Sequence, residues 1–393
     1  MSVRRRSRFP APAVGRTVLY LTLGGVTLVF LMPLIWLLVT SLKPVEQAMS
    51  LPPSFVPHAY FTALDGQRRE VTRDYELAAP GVVITWTSGP RQSHDEALPP
   101  NAAATAIASG QAVEHYRVEA GWWHVTERAT GDEEQVLSWA IVPPEAVDST
   151  IAPRWSNYPE ALERMGGEPA PPGSPADVHH VGFSRFIGNT LLVCVLGVIG
   201  TIFSNAIVAY GFARLRWRGR DAFFALTLAT MMVPFPVLMV PLYGVFKTLG
   251  LIGTLTPLWL PSFFGSAFNI FLMRQFFRTI PEELSEAARI DGCSEWRIFW
   301  RIILPLSKPV LATAGVVHFL YAWNDFMGPL LFLTRKQDYT LSLALQNYQT
   351  QQGGVQWHYL MAASAVTIVP IVILFFFAQK TFIQCIATTG SKA

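Results

Sequence analysis

The stretch Glu286-Ala287-Ala288-Arg289-Ile290-Asp291-Gly292, running on to Ile303-Leu304-Pro305, is a polar, helix-forming island between two strongly apolar segments. Thr279 and Pro281 are predicted to open it. A proline near the first helical position loses no intrahelical bond, and Glu282, Glu283 and Glu286 fall in the first turns, where the positive helix end favours acids. Gly292 suits the position just past a helix end, where a left-handed backbone stops the helix. Ser294 is placed to cap a second helix over 295–303, in which Trp296, Phe299, Trp300 and Ile303 recur at three-to-four spacing. Pro305 interrupts that helix before the next apolar segment. Two short helices bent at Gly292 are the expectation. Such a pair suits a lipid interface, where Trp and Arg are at home, and suits a docked protein equally well.

The segments on either side explain why a polar island stands out. The chain has 393 residues, of which 51% are hydrophobic and 15% charged, against about 25% charge in a soluble domain. No Asp, Glu, Lys or Arg occurs in 17–42, 186–213, 222–246, 248–273, 309–324 or 339–379. A bilayer core takes roughly 20 apolar residues as helix, so each window can hold one span, the 309–324 window continuing with Asp325 as the only such charge before Arg335. The predicted spans are about 18–40, 187–211, 223–245, 255–276, 309–331 and 359–382. Arg4, Arg5, Arg6 and Arg8 before the first span imitate a signal peptide, but the apolar run is too long and lacks a small-residue cleavage site. With the N-terminus inside, the inner segments carry seventeen Lys and Arg, and the short outer segments carry four: Lys43, Lys247, Arg335 and Lys336. That bias places residues 1–17 and 383–393 in the cytoplasm. Cys194, Cys293 and Cys385 lie in or beside spans or on the inner side and imply no disulfide framework.

The loop 41–186 is of another kind. Its 44–185 part holds nineteen acids against nine Lys and Arg, close to −10, whereas the whole chain is +3. Gly81–Ser88, Ala112–Ala129 and Gln135–Val142 are rich in Val, Thr, Trp, Tyr and Ile and are parted by turn formers such as Thr130-Gly131-Asp132, which predicts strands and hairpins. The flanks Leu51–Pro57 and Glu168–Pro175 are proline-rich linkers. A small β-rich outer domain over about 58–152 follows, the alternative being a partly ordered loop.

The residue order of the island adds what its spacing leaves open. Glu286-Ala287-Ala288, Gly292 and Ile303-Leu304-Pro305 resemble the EAA signature of ABC importer permeases. Ser41-Leu42-Lys43-Pro44, Asn157-Tyr158, Ala209-Tyr210-Gly211-Phe212-Ala213-Arg214, Arg274-Gln275-Phe276-Phe277, Trp323-Asn324-Asp325 and Pro329-Leu330 narrow the likeness to the carbohydrate-uptake subfamily, similar to the maltose permease, over about 12–57 and 153–390. The resemblance implies an all-α polytopic membrane protein of the type I importer permease fold, with six transmembrane helices. The β-rich extracytoplasmic insertion then lies between helices 1 and 2. It implies that Glu286, Ala287, Ala288, Asp291, Gly292, Ile303, Leu304 and Pro305 belong to a coupling loop docked on a cytoplasmic ATPase. The partners implied are two ATPase subunits, a second similar permease in a heterodimer, an extracytoplasmic solute-binding protein and membrane lipid, with no nucleic acid. No cofactor is expected on this chain, ATP and Mg being held by the ATPase. Two departures stand out: the insertion at 58–152, and a tail, Gln384-Cys385-Ile386-Ala387, without the glycine the family leads one to expect.

No G-x-x-x-x-G-K-[ST], HExxH, CxxC or GxSxG occurs, so neither a phosphate-cradling loop nor a familiar hydrolytic motif is present. His179-His180 has no nearby cluster that would make it a metal site. Pro234, Pro236 and Pro241 are expected to break the third span, and Pro257 and Pro261 the start of the fourth, either as packing kinks or along a pathway. Asn205, Ser266, Asn269, His318, Trp323, Asn324 and Asp325 are polar groups at depth. Aromatic faces beside hydrogen-bonding groups suit a sugar, which makes Phe268, Asn269, Trp323 and Asn324 candidate pathway residues. A membrane-anchored sensor acting through 58–152 is the rival reading; it leaves the inner loop and the six spans unexplained.

Overall fold

The computed structural model describes residues 13–48, 54–64, 67–76, 82–90, 123–125, 135–142, 147–166, 181–346, 348 and 356–390. It divides into two units, 1–157 with 356–362, and 158–355 with 363–393.

In the first unit, α1 (Ala13–Ser41) is apolar on every side and outward-facing over almost its whole length, with Leu21 and Phe30 both exposed. A helix that is hydrophobic all round belongs in lipid or against another apolar surface. Beyond it lie α2 (Val45–Ala48) and the strands β1 (His58–Leu64), β2 (Gln67–Glu76), β3 (Val82–Pro90), β4 (Trp123–Val125), β5 (Gln135–Val142) and β6 (Asp148–Ile151). Their order in the sheet is β4-β5-β3-β2-β1-β6, with every pairing antiparallel. The chain leaves and re-enters this sheet at one point, for the Ala152 N–H donates to the Pro57 carbonyl at 3.0 Å. Gln47 clamps the first strand, its amide donating to the His58 carbonyl at 2.5 Å and its Oε1 accepting from the His58 N–H at 3.0 Å. Asn157 donates to the carbonyls of Ser41 and Lys43 at 2.9 and 2.8 Å, and the buried Lys43 ammonium sits 4.1 Å from the centre of the Trp36 ring. β1 and β2 were not foreseen: Gln67–Glu76 is too charged to show the alternation of a half-buried strand. Of the expected strand Ala112–Ala129, all but 123–125 lies outside the described residues, as does His179-His180.

The second unit holds the helical array. After α3 (Asn157–Arg164), which begins at the boundary of the units, come α4 (Phe183–Ala213), α5 (Arg220–Ala229), α6 (Phe235–Thr248), α7 (Thr256–Trp259), α8 (Ala267–Phe277), α9 (Glu283–Ile290), α10 (Glu295–Ile298), α11 (Leu304–Leu306), α12 (Lys308–Asn324), α13 (Met327–Phe332), α14 (Leu341–Leu345) and α15 (Trp357–Gly390), the start of which, to residue 362, is assigned to the first unit. α4 is the central strut, with α12, α8 and the 3₁₀ segment Leu260–Phe264 packed along it. Gly197 and Gly200 allow this: a Cβ on Gly197 would lie 2.4 Å from His318 Nε2, and one on Gly200 2.5 Å from Phe263 Cδ2. Small residues at such contacts let membrane helices approach closely.

Among the described residues three helices are long and apolar enough to cross a membrane: Thr17–Ser41, Phe183–Ala213 and Trp357–Gln379. Two bent pairs raise the number to five if each is one span: Arg220–Met232 with Phe235–Thr248, bent by 100°, and Glu295–Leu306 with Lys308–Asn324, bent by 76°. The first bend falls at Val233-Pro234, where prolines 234 and 236 withdraw two backbone donors. The expected span 255–276 is met in three pieces, α7, the 3₁₀ segment and α8, parted at Gly265-Ser266. The expected span 309–331 ends its first helix at Asn324 and resumes at Met327.

Irregular backbone at membrane depth needs internal hydrogen bonds, and the polar residues at depth supply them. Asn205 Oδ1 accepts from the Ser266 N–H at 2.7 Å, the Ser204 hydroxyl donates to the Ser262 carbonyl at 2.9 Å, and Ser262 Oγ lies 3.3 Å from His318 Nε2. Asp325 Oδ1 accepts from the Gly328 N–H at 3.1 Å, starting the helix that follows the break.

Candidate functional site

The island quoted first folds as α9, a turn at Gly292, and α10 running into a wider π-helical turn, Phe299–Ile303. α9 starts at Glu283, later than Thr279 and Pro281 suggested; the residues before it form turns, with the Thr279 hydroxyl donating to the Phe276 carbonyl. Its end is a Schellman motif. The Cys293 N–H donates to the Ala288 carbonyl at 2.9 Å and the Gly292 N–H to the Arg289 carbonyl at 3.0 Å, with Gly292 at φ +75°. Ser294 caps α10, its hydroxyl accepting from the Arg297 N–H at 3.4 Å. The π turn has a local cause: Pro305 lacks an N–H, and its ring would meet the Arg301 carbonyl in a regular helix. The turn widens instead, and the Leu304 N–H reaches back to Phe299.

This pair of helices has two faces. Inward, Ala288, Ile298, Phe299 and Ile303 are buried in one cluster with Ala206, Ala209 and Tyr210 of α4, Met273 and Phe277 of α8, and Val310 and Ala314 of α12. Leu304 packs partly against that cluster, whereas Pro305 is exposed. Ala288 was expected on the docking surface; at 8% exposure it belongs to the inner face, and its small side chain lets α9 approach its own core. Outward, Glu286, Ala287, Asp291 and Gly292 are exposed, and Leu284 and Ile290 join them at 44% and 87% exposure. Trp296 and Trp300 are exposed on the second arm. Ile290 is therefore the most exposed apolar side chain on this face, flanked by Ala287, Asp291 and Gly292.

Polar ties fix the loop to α4. Glu295 accepts from Arg289 Nε at 2.7 Å through Oε1 and from the Tyr210 hydroxyl at 2.5 Å through Oε2. The hydrogen bond from Arg289 holds the Glu295 carboxyl below the usual carboxylate range, and the same bond raises the Arg289 guanidinium. Arg214 Nη2 donates to the carbonyls of Phe277 and Ile280 at 2.7 and 2.6 Å, and burial lowers its guanidinium. Arg214, Arg216, Arg289, Glu282, Glu286 and Glu295 line a pocket of about 580 Å³ beside α9. Arg289 pairs with Glu295 and Arg216 with Glu282, and no nucleophile with its base or metal-ligand set lies among the lining residues. The arrangement ties the two short helices to α4 and α8 and leaves their outer face exposed.

A family model described as "Binding-protein-dependent transport system inner membrane component" matches residues 187–386. The chain belongs to this family of ABC importer permeases. It is a membrane transport subunit of helical permease fold, and not an enzyme. The permease is 38% identical over 207 residues to the arabinooligosaccharides transport system permease protein AraQ of Halalkalibacterium halodurans, covering 53% of this chain and 74% of that one. It is 36% identical over 203 residues to the sn-glycerol-3-phosphate transport system permease protein UgpE of Yersinia pestis, covering 51% and 72%. Among solved structures, a chain of a bacterial ABC transporter involved in the import of the acidic polysaccharide alginate superposes with a TM-score of 0.49 at 24% identity, over 58% of this chain and 80% of that chain.

The four candidate pathway residues are not joined in one site by any hydrogen bond. Phe268 is exposed on the first turn of α8. Asn269 is buried, and its Oδ1 finds no hydrogen-bond partner among the described residues. Trp323 is buried as well, its indole donating to the Thr367 carbonyl at 3.2 Å and its ring stacked on Phe319. Asn324 donates to the Leu320 carbonyl of its own helix at 2.8 Å. Trp323 is thereby committed to packing, and Asn269 keeps a free acceptor. The roles of Tyr210, Arg214, Arg289 and Glu295 were missed. Tyr210 and Arg214 were visible as part of Ala209–Arg214, but nothing in the sequence pairs them with residues some 65 to 85 positions on.

Proposed function

We propose that this chain is the permease subunit of an ATP-driven carbohydrate importer in the cytoplasmic membrane, with an ATPase docked on 283–305. The observation that carries the reading is the pair of helices bent at Gly292, which face the bundle core with Ala288 and Ile303 and turn Ala287, Ile290 and Asp291 outward. That surface suits a groove of the ATPase subunit. Six spans are proposed: α1, α4, the bent pair 220–248, the broken segment 256–277, the segment 308–332 and α15. The seventeen-to-four excess of inner Lys and Arg supports cytoplasmic ends and a cytoplasmic docking loop. The strands between 58 and 151 are then an extracytoplasmic insertion between the first two spans.

By family analogy the complete transporter has a second, similar permease, two ATPase subunits and an extracytoplasmic solute-binding protein. ATP and Mg sit in the ATPase subunits. Closure of the ATPase dimer on ATP moves the docked helices together and opens the spans outward to accept solute; hydrolysis resets them inward. The substrate reading draws on relatives named for arabinooligosaccharides and sn-glycerol-3-phosphate. Uptake of labelled oligosaccharides, monosaccharides and glycerol-3-phosphate, with and without this chain, tests it. Loss of uptake for one sugar class upon deletion supports the assignment; loss for glycerol-3-phosphate alone assigns a phosphorylated polyol instead. Unchanged uptake of the whole panel overturns both.

A further inference from the structure

α9 has eight residues and α10 four, too few for either to be a stable helix on its own. Whatever holds them also decides which span feels their movement. The apolar cluster beneath them is shared among α4, α8 and α12. The polar ties converge on α4. Glu295 spends one oxygen on Arg289 of α9 and the other on Tyr210 of α4, so a single carboxylate joins both arms of the bend to that helix. Four residues beyond Tyr210, about one helical turn, Arg214 holds the carbonyls of Phe277 and Ile280, the end of α8 and the approach to α9. Tyr210 also packs its ring against Phe299, with centroids 5.1 Å apart. The remaining charged contact, Arg216 with Glu282 at 3.3 Å, is exposed and adds little.

The two kinds of contact differ mechanically. Apolar packing is non-directional: it resists separation through many small contacts but lets surfaces slide past one another. A charge-assisted hydrogen bond has a preferred length and direction and resists sliding as well. A loop whose movement is to reach one span in register therefore gains from the second kind at its point of attachment.

We propose that Tyr210 and Arg214 are positioning residues that make α4 the span through which the loop's movement enters the bundle, with Tyr210–Glu295–Arg289 as the link. This rests on the reading of 283–305 as the ATPase dock. The test uses the complete transporter, with its ATPase and binding protein, in proteoliposomes. Tyr210→Phe removes one hydroxyl and keeps the ring on Phe299; Glu295→Gln reads the same link from the exposed side and serves if the first variant fails to insert. Each should still bring down the ATPase on purification. Solute imported per ATP hydrolysed should fall about tenfold, the loss expected for one hydrogen bond to a charged group. The double variant should lose no more than the worse single, because both cut one link. Normal import per ATP in either inserted variant overturns the proposal, as does a double variant whose loss is the product of the singles. If the unaltered chain retains no ATPase, the docking reading itself fails; if it does and Tyr210→Phe imports normally, only the link fails.

Discussion

Gly292 is where a small change in the backbone should have the largest effect on transport. Its φ of +75° lies in the left-handed region, and a Cβ built there meets nothing within 4 Å. Any cost of substitution is therefore conformational and not steric. A residue with a Cβ costs about 1–2 kcal/mol in this region, less for Asn and more for a β-branched side chain. If the chain escapes that cost by leaving the turn, it gives up the bonds from Cys293 to Ala288 and from Gly292 to Arg289, each about 1 kcal/mol net. Either route leaves the protein folded and inserted, since the change is small beside the whole. It does alter the angle between α9 and α10. About 1.4 kcal/mol is a factor of ten in an equilibrium, so the ratio of bent to unbent loop should fall roughly five- to thirtyfold in Gly292→Val. Uptake in proteoliposomes at matched permease content should fall with the population of the bent loop, which that ratio sets. Gly292→Asn should stay close to the unaltered protein and Gly292→Ala should lie between. Equal uptake by the Val, Ala and Asn variants would refute the reasoning, because it would show that the left-handed turn is not needed.

The remaining predictions concern packing, charge and the insertion. Gly197→Val should lower the thermal midpoint in detergent, because its side chain meets His318 and overpacking costs about 1–3 kcal/mol. Gly188→Ala, where a Cβ meets nothing within 4 Å, should not lower it, and equal losses would contradict the packing of α4. Glu295 has a folded pKa held below its unfolded value, so its link stabilises the loop above the unfolded pKa of about 4.3 and is lost as pH falls through the folded one. Coupling should therefore be flat from pH 6 to 8, and a Glu295-dependent step within that range, measured against Glu295→Gln, would be inconsistent with it. Excision of 58–152 with a short glycine-serine join should leave a chain that inserts and retains its ATPase, since Pro57 and Ala152 already meet. Loss of both properties would show that the insertion is not separable.

Much of the loop 283–305 was legible because its signals are local. Gly292 and Ser294 each act within four residues of themselves, and both sit where their chemistry requires. The inward turn of Ala288 was not legible. Helical spacing says that 285 and 288 share a face, but which face is buried depends on α4, α8 and α12, all distant in sequence. Trp323 shows the same limit: an aromatic at depth looks like a sugar platform until its indole is seen bonded to Thr367. The breaks at Pro234 and Gly265 could be placed roughly from proline and glycine. The partner of the second break, Asn205, comes from another helix and has no signature of its own. The strand β2 was hidden because its pairing with β1 and β3, rather than its own polar sequence, makes it a strand.

Ile290 offers the most direct measurement of the central claim. It is 87% exposed, so Ile290→Asp disturbs no internal packing and places a charge on the proposed dock. The permease, purified with and without this change, should be assayed for the amount of ATPase subunit it retains. Retention by the unaltered chain and loss of most of it in Ile290→Asp, at equal membrane insertion, is the predicted result. Equal retention by both, or none by either, would contradict the account.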